Sequence, residues 1–219
     1  MRYDIKMMMN TPTEAEELRA EIAMLAARMI AEDGADYGSA KRRAVKQLLG
    51  NRKIRGDILP DNQQIEQEVR EYNALFFVDS QPQRLLQLRK LALTLMLELE
   101  RFNPYLVGAI LNGTAGQHSD IHLHLYADNT KEVAIFLLNK GIDFTVSENI
   151  NKRNESIEML SFMFQQEGVH LLLHTLDAIR TGTKAGGRAE RANTAAVRRL
   201  IEQSQDSDAT GHSPLPTDR

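Results

Sequence analysis

Apolar residues recur at three- and four-residue intervals through the first half of the chain, and at every second position in stretches of the second half. Leu18, Ile22, Leu25, Ala26 and Met29 fall on one helical face. The preceding Thr11-Pro12-Thr13-Glu14 offers a capping hydroxyl at Thr11, a proline in the first turn and a glutamate that reaches back to the cap. Gly34 is the expected stop. A second helix is predicted from a Ser39 cap to Gly50, and a third from Leu59-Pro60-Asp61 to about Phe76. A fourth starts near Ser80-Gln81-Pro82, carries Leu85, Leu88, Leu91, Leu95 and Met96, and is ended by Asn103-Pro104.

The period then changes. Residues 105–111 form a short apolar run bounded by turn residues, which predicts a buried strand. Residues 120–126 alternate strictly, so Ile121, Leu123 and Leu125 face one way and Asp120, His122 and His124 the other. A helix is predicted over 129–140, with Val133, Phe136, Leu137 and Leu138 on its apolar side and Gly141 closing it. Three more strands are expected over 142–146, 157–164 and 169–176, with Gln165-Gln166-Glu167-Gly168 as a hairpin turn between the last two. Residues 181–187 read as a glycine-containing connector, 190–202 as a last helix, and 204–219 as a polar, disordered tail. The grouping of helices before strands predicts an α+β fold: a helical N-terminal half followed by a mixed sheet with flanking helices. The expected division is a helical region over 1–103, a core over 104–178, a basic linker and helix over 179–203, and the tail.

Composition narrows the function classes. With 219 residues, 42% hydrophobic and 26% charged, the chain can bury an ordinary globular core. It has no cysteine, which excludes disulfides, zinc knuckles and thiol catalysis and fits a reducing compartment. Met7-Met8-Met9 belongs to no apolar leader, and no segment approaches the ~18 apolar residues of a membrane span. A soluble, cytoplasmic bacterial protein with no membrane partner is the expectation. The net charge of −3 speaks against sequence-blind nucleic-acid binding, and the 5% aromatic content without tryptophan weakens single-strand stacking. The basic run Lys41-Arg42-Arg43, Lys46, Arg52-Lys53 and Arg55 reads as a solvated helix face beside Glu32, Asp33 and Asp36 in preference to a phosphate-binding surface. Arg180, Lys184, Arg188, Arg191, Arg198 and Arg199 follow the last strand, either reaching an anionic ligand over the sheet or forming a second solvated face.

The candidate chemistry lies between Leu111 and Leu125. A strand there runs into Gly113-Thr114, a short loop follows, and the next strand opens with Ser119-Asp120 and continues as Asp120-x-His122. Glycine lets the backbone approach a phosphate, while the neighbouring hydroxyl and amides hold its oxygens.

This segment, extended from Leu106 to Thr175, resembles the nucleotidyltransferase superfamily, whose signature is a strand, Gly-Ser or Gly-Thr, and Ser-Asp-x-Asp on the next strand. The resemblance implies a nucleotidyltransferase-like mixed sheet. Gly113, Thr114 and Ser119 would be nucleotide-binding, and Asp120 would be the first catalytic carboxylate and a metal ligand. His122 stands where the second carboxylate belongs, as catalytic residue and metal ligand. The third position is Asp143 or His170, and the sequence leaves both open. The implied cofactor is magnesium or manganese. Imidazole is a poor magnesium ligand and suits manganese, iron or zinc better, so His122 is the main departure; the short connection from Gly113 to Asp120 is another.

The resulting expectation is a nucleotidyltransferase-fold protein that binds a nucleotide or other anionic ligand, with magnesium-dependent transfer lost or altered. One alternative is an active nucleotidyltransferase built on Asp120 and a histidine-containing metal site. Another is a non-enzymatic module whose helical half binds a protein partner. Nucleic acid is a weaker candidate partner. His122, His124, His170 and His174 together suggest a metal cluster, against the simpler reading of histidines tolerated on a half-exposed strand face. The whole chain also loosely resembles small proteobacterial proteins labelled as UDP-N-acetylmuramate–alanine ligase. That activity is not expected, because Gly113-Thr-Ala-Gly-Gln lacks the lysine of a phosphate loop.

Overall fold

Thr13, rather than Thr11, opens the first helix, α1 (Glu14–Asp33). Its hydroxyl accepts from the Glu16 amide at 3.3 Å, and the Glu16 carboxylate accepts from the Thr13 amide at 2.7 Å. The expected capping box thus exists two residues later; Thr11 and Pro12 lie outside the described residues. The computed structural model describes residues 13–50, 58–150, 156–181 and 191–210. By contact it divides into two compact units, Met1–Val78 and Asp79–Arg219.

In the first unit α1 packs against α2 (Tyr37–Leu49) and α3 (Asn62–Phe76). Asp36 caps α2 by accepting from the Ser39 amide at 2.9 Å, so Ser39 is inside the helix it was expected to cap. A carboxylate at this position also complements the helix dipole. Asp61 and Gln64 form a second capping box at the start of α3. Ala23, Ala26, Ala27, Ala40 and Ala44 are buried, and such small side chains let the backbones of α1 and α2 approach closely. Ile22, Ile65 and Val69 supply the bulk. Arg43 pairs with Asp33 at 3.2 Å on the exposed surface, which fits a solvated basic face; Arg52, Lys53 and Arg55 lie outside the described residues.

The second unit begins with α4 (Gln81–Glu98), expected in the helical region but packed with the sheet. Leu88, Ala92, Leu95 and Met96 of α4 belong to the same buried cluster as the strands. A 3-10 turn at Glu100–Phe102 leads to β1 (Tyr105–Val107). Gly108, at φ 74°, then turns the chain into the short α5 (Ala109–Asn112), so the expected strand over 105–111 is cut in half. The later elements are β2 (Ile121–Ala127), α6 (Lys131–Asn139), β3 (Thr145–Ile150), β4 (Ser156–Phe164), β5 (Glu167–Thr175), α7 (Asp177–Thr181) and α8 (Thr194–Thr210). Gln165 and Gln166 both take positive φ in the two-residue turn between β4 and β5.

α8 starts after its expected position and runs past residue 204, where a disordered tail was expected. Val197 and Ile201 are buried in the core, and Ser204 accepts from the Arg89 guanidinium at 3.1 Å. The connector over 182–190 and the tail from 211 lie outside the described residues.

The sheet order is β1-β2-β5-β4-β3, with β2 and β5 parallel and the other pairs antiparallel. This is the α+β mixed sheet expected. Leu106, Ile121, Leu123, Leu125, Val169, Leu171, Leu173, Leu160 and Phe162 are buried on one face, together with side chains of α4, α6 and α8. The period-two alternation therefore sends every intervening residue of β2 and β5 to the opposite face. That face carries the polar chemistry.

Candidate functional site

Register sets the site. His122 on β2 lies opposite His170 on β5, His170 opposite Ser161 on β4, and Ser161 opposite Thr145 on β3. Val107 on β1 completes a transverse row across all five strands. Cross-strand neighbours on one face stand close enough for direct side-chain contact. The His122 and His170 rings stack with centroids 4.8 Å apart. Further along the same two strands His124 meets His174 diagonally at 4.7 Å, and His174 stacks on its register partner Tyr126 at 5.0 Å.

Asp120 precedes β2 by one residue, which places it beside Gly168 at the start of β5. Its carboxylate lies across that glycine: a Cβ at position 168 would sit 2.7 Å from Asp120 Cγ. From there Asp120 Oδ2 accepts from His170 Nε2 at 3.1 Å. The other ring nitrogen, Nδ1, lies 2.8 Å from Ser161 Oγ. A carboxylate accepts only, so Nε2 carries a proton; in the neutral ring Nδ1 is then the acceptor, and the Ser161 hydroxyl donates to it. A cleft of about 720 Å³ opens here, lined by Gln117, Ser119, Asp120, Asp143, Ser161 and His170 among others. Beside it Arg84 of α4 grips Glu167 through two bonds of 2.7 and 2.6 Å and donates to the Gln117 carbonyl at 3.1 Å.

The structure therefore brings together Asp120, His122, His170 and, along the cleft wall, Ser119 and Asp143. Asp143 precedes β3, at the far edge of the sheet, whereas His170 is on the strand adjoining β2. His170, and not Asp143, thus stands on the strand next to β2. Gly113 and Thr114 are elsewhere. Thr114 is buried, and its amide and hydroxyl both donate to Asn112 Oδ1, at 3.0 and 2.7 Å. The carbonyls of Gly113 and Ala115 both accept from Gln81. Neither Gly113 nor Thr114 lines the cleft. Ser119 does, and its hydroxyl accepts from the Gly116 amide at 3.0 Å.

The residues do not fit magnesium. Of Asp120, His122 and His170, one alone is a hard oxygen donor. Both nitrogens of His170 are engaged by Asp120 and Ser161, and its ring lies against His122 rather than converging with it. Among the described residues no group of three or more histidine, aspartate or glutamate side chains is placed to hold a metal ion.

Burial holds the imidazoles of His122 and His174 below their usual range, as it does that of His124, which is pushed down to about 4. Neighbouring His170 adds to the effect on His122 while Asp120 opposes it, and Arg191 adds to the effect on His174. Arg191, from the basic segment after the last strand, packs beside these rings. It lies over the rings of Tyr105 and Tyr126 at 4.8 and 5.5 Å and donates to the Tyr126 hydroxyl at 2.9 Å. Sequence reasoning missed Ser161, Gly168 and the Arg84–Glu167 pair. Alternation along 157–164 puts Ser161 on the polar face, but only the register identifies its neighbour.

No protein-family model matches the chain, and no curated protein sequence matches it. Among solved structures it is similar to a chain in the structure of a GLD-2/RNP-8 complex, with 20% identity and a TM-score of 0.29. The likeness covers 52% of this chain and 48% of that one, so the match spans about half of each. A likeness at this level settles neither fold family nor function. No described helix is long and apolar enough to cross a membrane.

Proposed function

We infer that the second unit is a nucleotidyltransferase-like domain that binds a nucleoside or nucleotide in the cleft beside Asp120 and His170, with magnesium-dependent transfer lost. One observation carries this reading. Asp120, His122 and His170 lie together at β2 and β5, and two of them are imidazoles, stacked at 4.8 Å, one hydrogen-bonded to the third residue. Hydrogen bonds within the protein thus take the place of a metal shell.

The ligand's phosphates contribute little under this reading. Asp120 and Asp143 line the cleft, and without a bridging cation carboxylates repel phosphate oxygens. Recognition falls on the uncharged base and ribose, through donors and acceptors such as Gln117, Ser119 and Ser161.

Calorimetric titration of the full chain with adenosine, cytidine, guanosine, uridine and their triphosphates tests this, with and without magnesium. At least one nucleoside should bind as tightly as its triphosphate, with magnesium changing the affinity by less than about threefold, under 1 kcal/mol. Binding by none of the eight compounds contradicts the ligand class. Triphosphate binding that requires magnesium and disappears in Asp120→Ala contradicts the loss of metal chemistry.

A further inference from the structure

The hydrogen-bonded chain from Ser161 through His170 to Asp120 has the three parts of an activated nucleophile: a hydroxyl, a base within reach, and a carboxylate that orients the base. The geometry points to a second chemistry in the same cleft: Ser161 attacks small, uncharged or cationic carboxylic esters, with His170 as general base and Asp120 as the group that positions it. The inference shares the cleft with the ligand reading above but does not depend on a nucleotide.

Two observations support it besides the two bonds, and the bonds themselves set the tautomer. Ser161, His170 and Asp120 all line the cleft, so a substrate reaches the hydroxyl. Gly168 leaves the space that the Asp120 carboxylate fills, and any larger residue there would push the carboxylate off His170. The bond to Asp120 also fixes the tautomer in which Nδ1 faces Ser161 as an acceptor. The ring is used in the opposite sense from the serine-protease arrangement, where Nε2 faces the serine. Imidazole passes charge between its nitrogens either way.

The reaction balances within the cleft. Ser161 Oγ bonds to the ester carbonyl carbon as its proton moves to His170 Nδ1, and the carbonyl electron pair moves onto oxygen. Asp120 stabilises the imidazolium. Return of that pair re-forms the carbonyl and breaks the carbon–oxygen bond to the leaving alkoxide, which takes the proton from Nδ1 and departs as an alcohol. Water then gives a proton to Nδ1 and adds to the acyl carbon. Expulsion of Ser161 Oγ, which recovers the proton, releases the carboxylic acid. Gln117 and His118 line the same cleft and carry donors for the transient oxyanion.

Charge selects the substrate. Glu167 is neutralised by Arg84, while Asp120 and Asp143 leave negative charge around the relay. An anionic ester is therefore disfavoured.

The test treats the full chain with a fluorophosphonate, locates the adduct by peptide mass, and measures hydrolysis of p-nitrophenyl acetate against p-nitrophenyl hemisuccinate. The adduct should form on Ser161 and vanish in Ser161→Ala. His170→Ala should slow labelling by about a hundredfold and Asp120→Asn by at least about tenfold, in variants whose circular dichroism matches the parent. The acetate should be cleaved at least about tenfold faster than the anionic hemisuccinate, a difference of about 1.4 kcal/mol. No adduct on Ser161 of the unmodified sequence overturns the relay, as does a labelling rate unchanged in both His170→Ala and Asp120→Asn. Equal rates on the two esters overturn the substrate class. Nucleoside binding without Ser161 labelling sinks this inference alone; labelling without nucleoside binding sinks the ligand reading alone.

Discussion

His124 shows what a histidine costs when a strand turns it against its neighbours. Its ring meets His174 at 4.7 Å, and burial first, then His174, His122 and Arg191, push its imidazole down to about 4. The unfolded chain takes up this proton near pH ~6.5, whereas the folded chain resists until about 4. His124 therefore leaves stability intact above the unfolded value and removes it as pH falls through the window between the two. The expected loss is on the order of 3 kcal/mol by pH ~4, and His122 and His174, shifted the same way, add to it. Urea unfolding across this window should show a shallower loss in His124→Leu than in the parent; identical slopes would contradict the assignment. The sequence already placed His122, His124, His170 and His174 on strands, and alternation gave the face of the first two. It could not show that they stack, because stacking is a property of the pair of strands.

At the scale of elements, period and capping chemistry made the helices legible. α3 and α4 form where apolar spacing and the Asp or Pro signals put them, and α1 starts two residues after its expected cap. The errors came where two principles compete. The apolar run after Pro104 suits a buried strand or a short helix equally, and Gly108 decides by turning the chain at φ 74°. α8 outlasts its expected end because Val197 and Ile201 are buried and Arg89 bonds to Ser204, tertiary contacts that local polarity does not announce.

The Arg84–Glu167 pair is another such contact. It joins α4 to the turn end of the β4–β5 hairpin through two charge-assisted bonds, and both side chains are about four-fifths shielded, at 20% and 16% exposure. The Glu167 carboxylate accordingly raises the Arg84 guanidinium above its usual value. Arg84→Ala leaves Glu167 shielded without its partner and should cost about 2 kcal/mol in urea denaturation, more than Glu167→Gln, which removes the charge but keeps an acceptor. A loss under about 0.5 kcal/mol in Arg84→Ala would mean that the pair is ornamental.

On the scale of the whole molecule, the sheet order decides what the site is. β5 leaves the β4 hairpin to lie beside β2, and this brings His170 to Asp120 across fifty residues of sequence. A single sequence names both residues but offers two partners for Asp120, and only the parallel β2–β5 pairing separates His170 from Asp143. The antiparallel β4–β5 pairing is what gives Ser161 its significance, since that comes from a neighbour on another strand.

The metal-free ligand site and the serine relay both rest on one bond, in which His170 Nε2 carries the proton and donates it to Asp120. Side-chain nitrogen NMR of the full chain, at a pH where imidazole is neutral, reads that proton directly. His170 should appear as the Nε2-protonated tautomer with Nδ1 as an acceptor, and Asp120→Ala should abolish the preference. A proton on Nδ1, or a mixed tautomer unaffected by Asp120→Ala, would contradict the account.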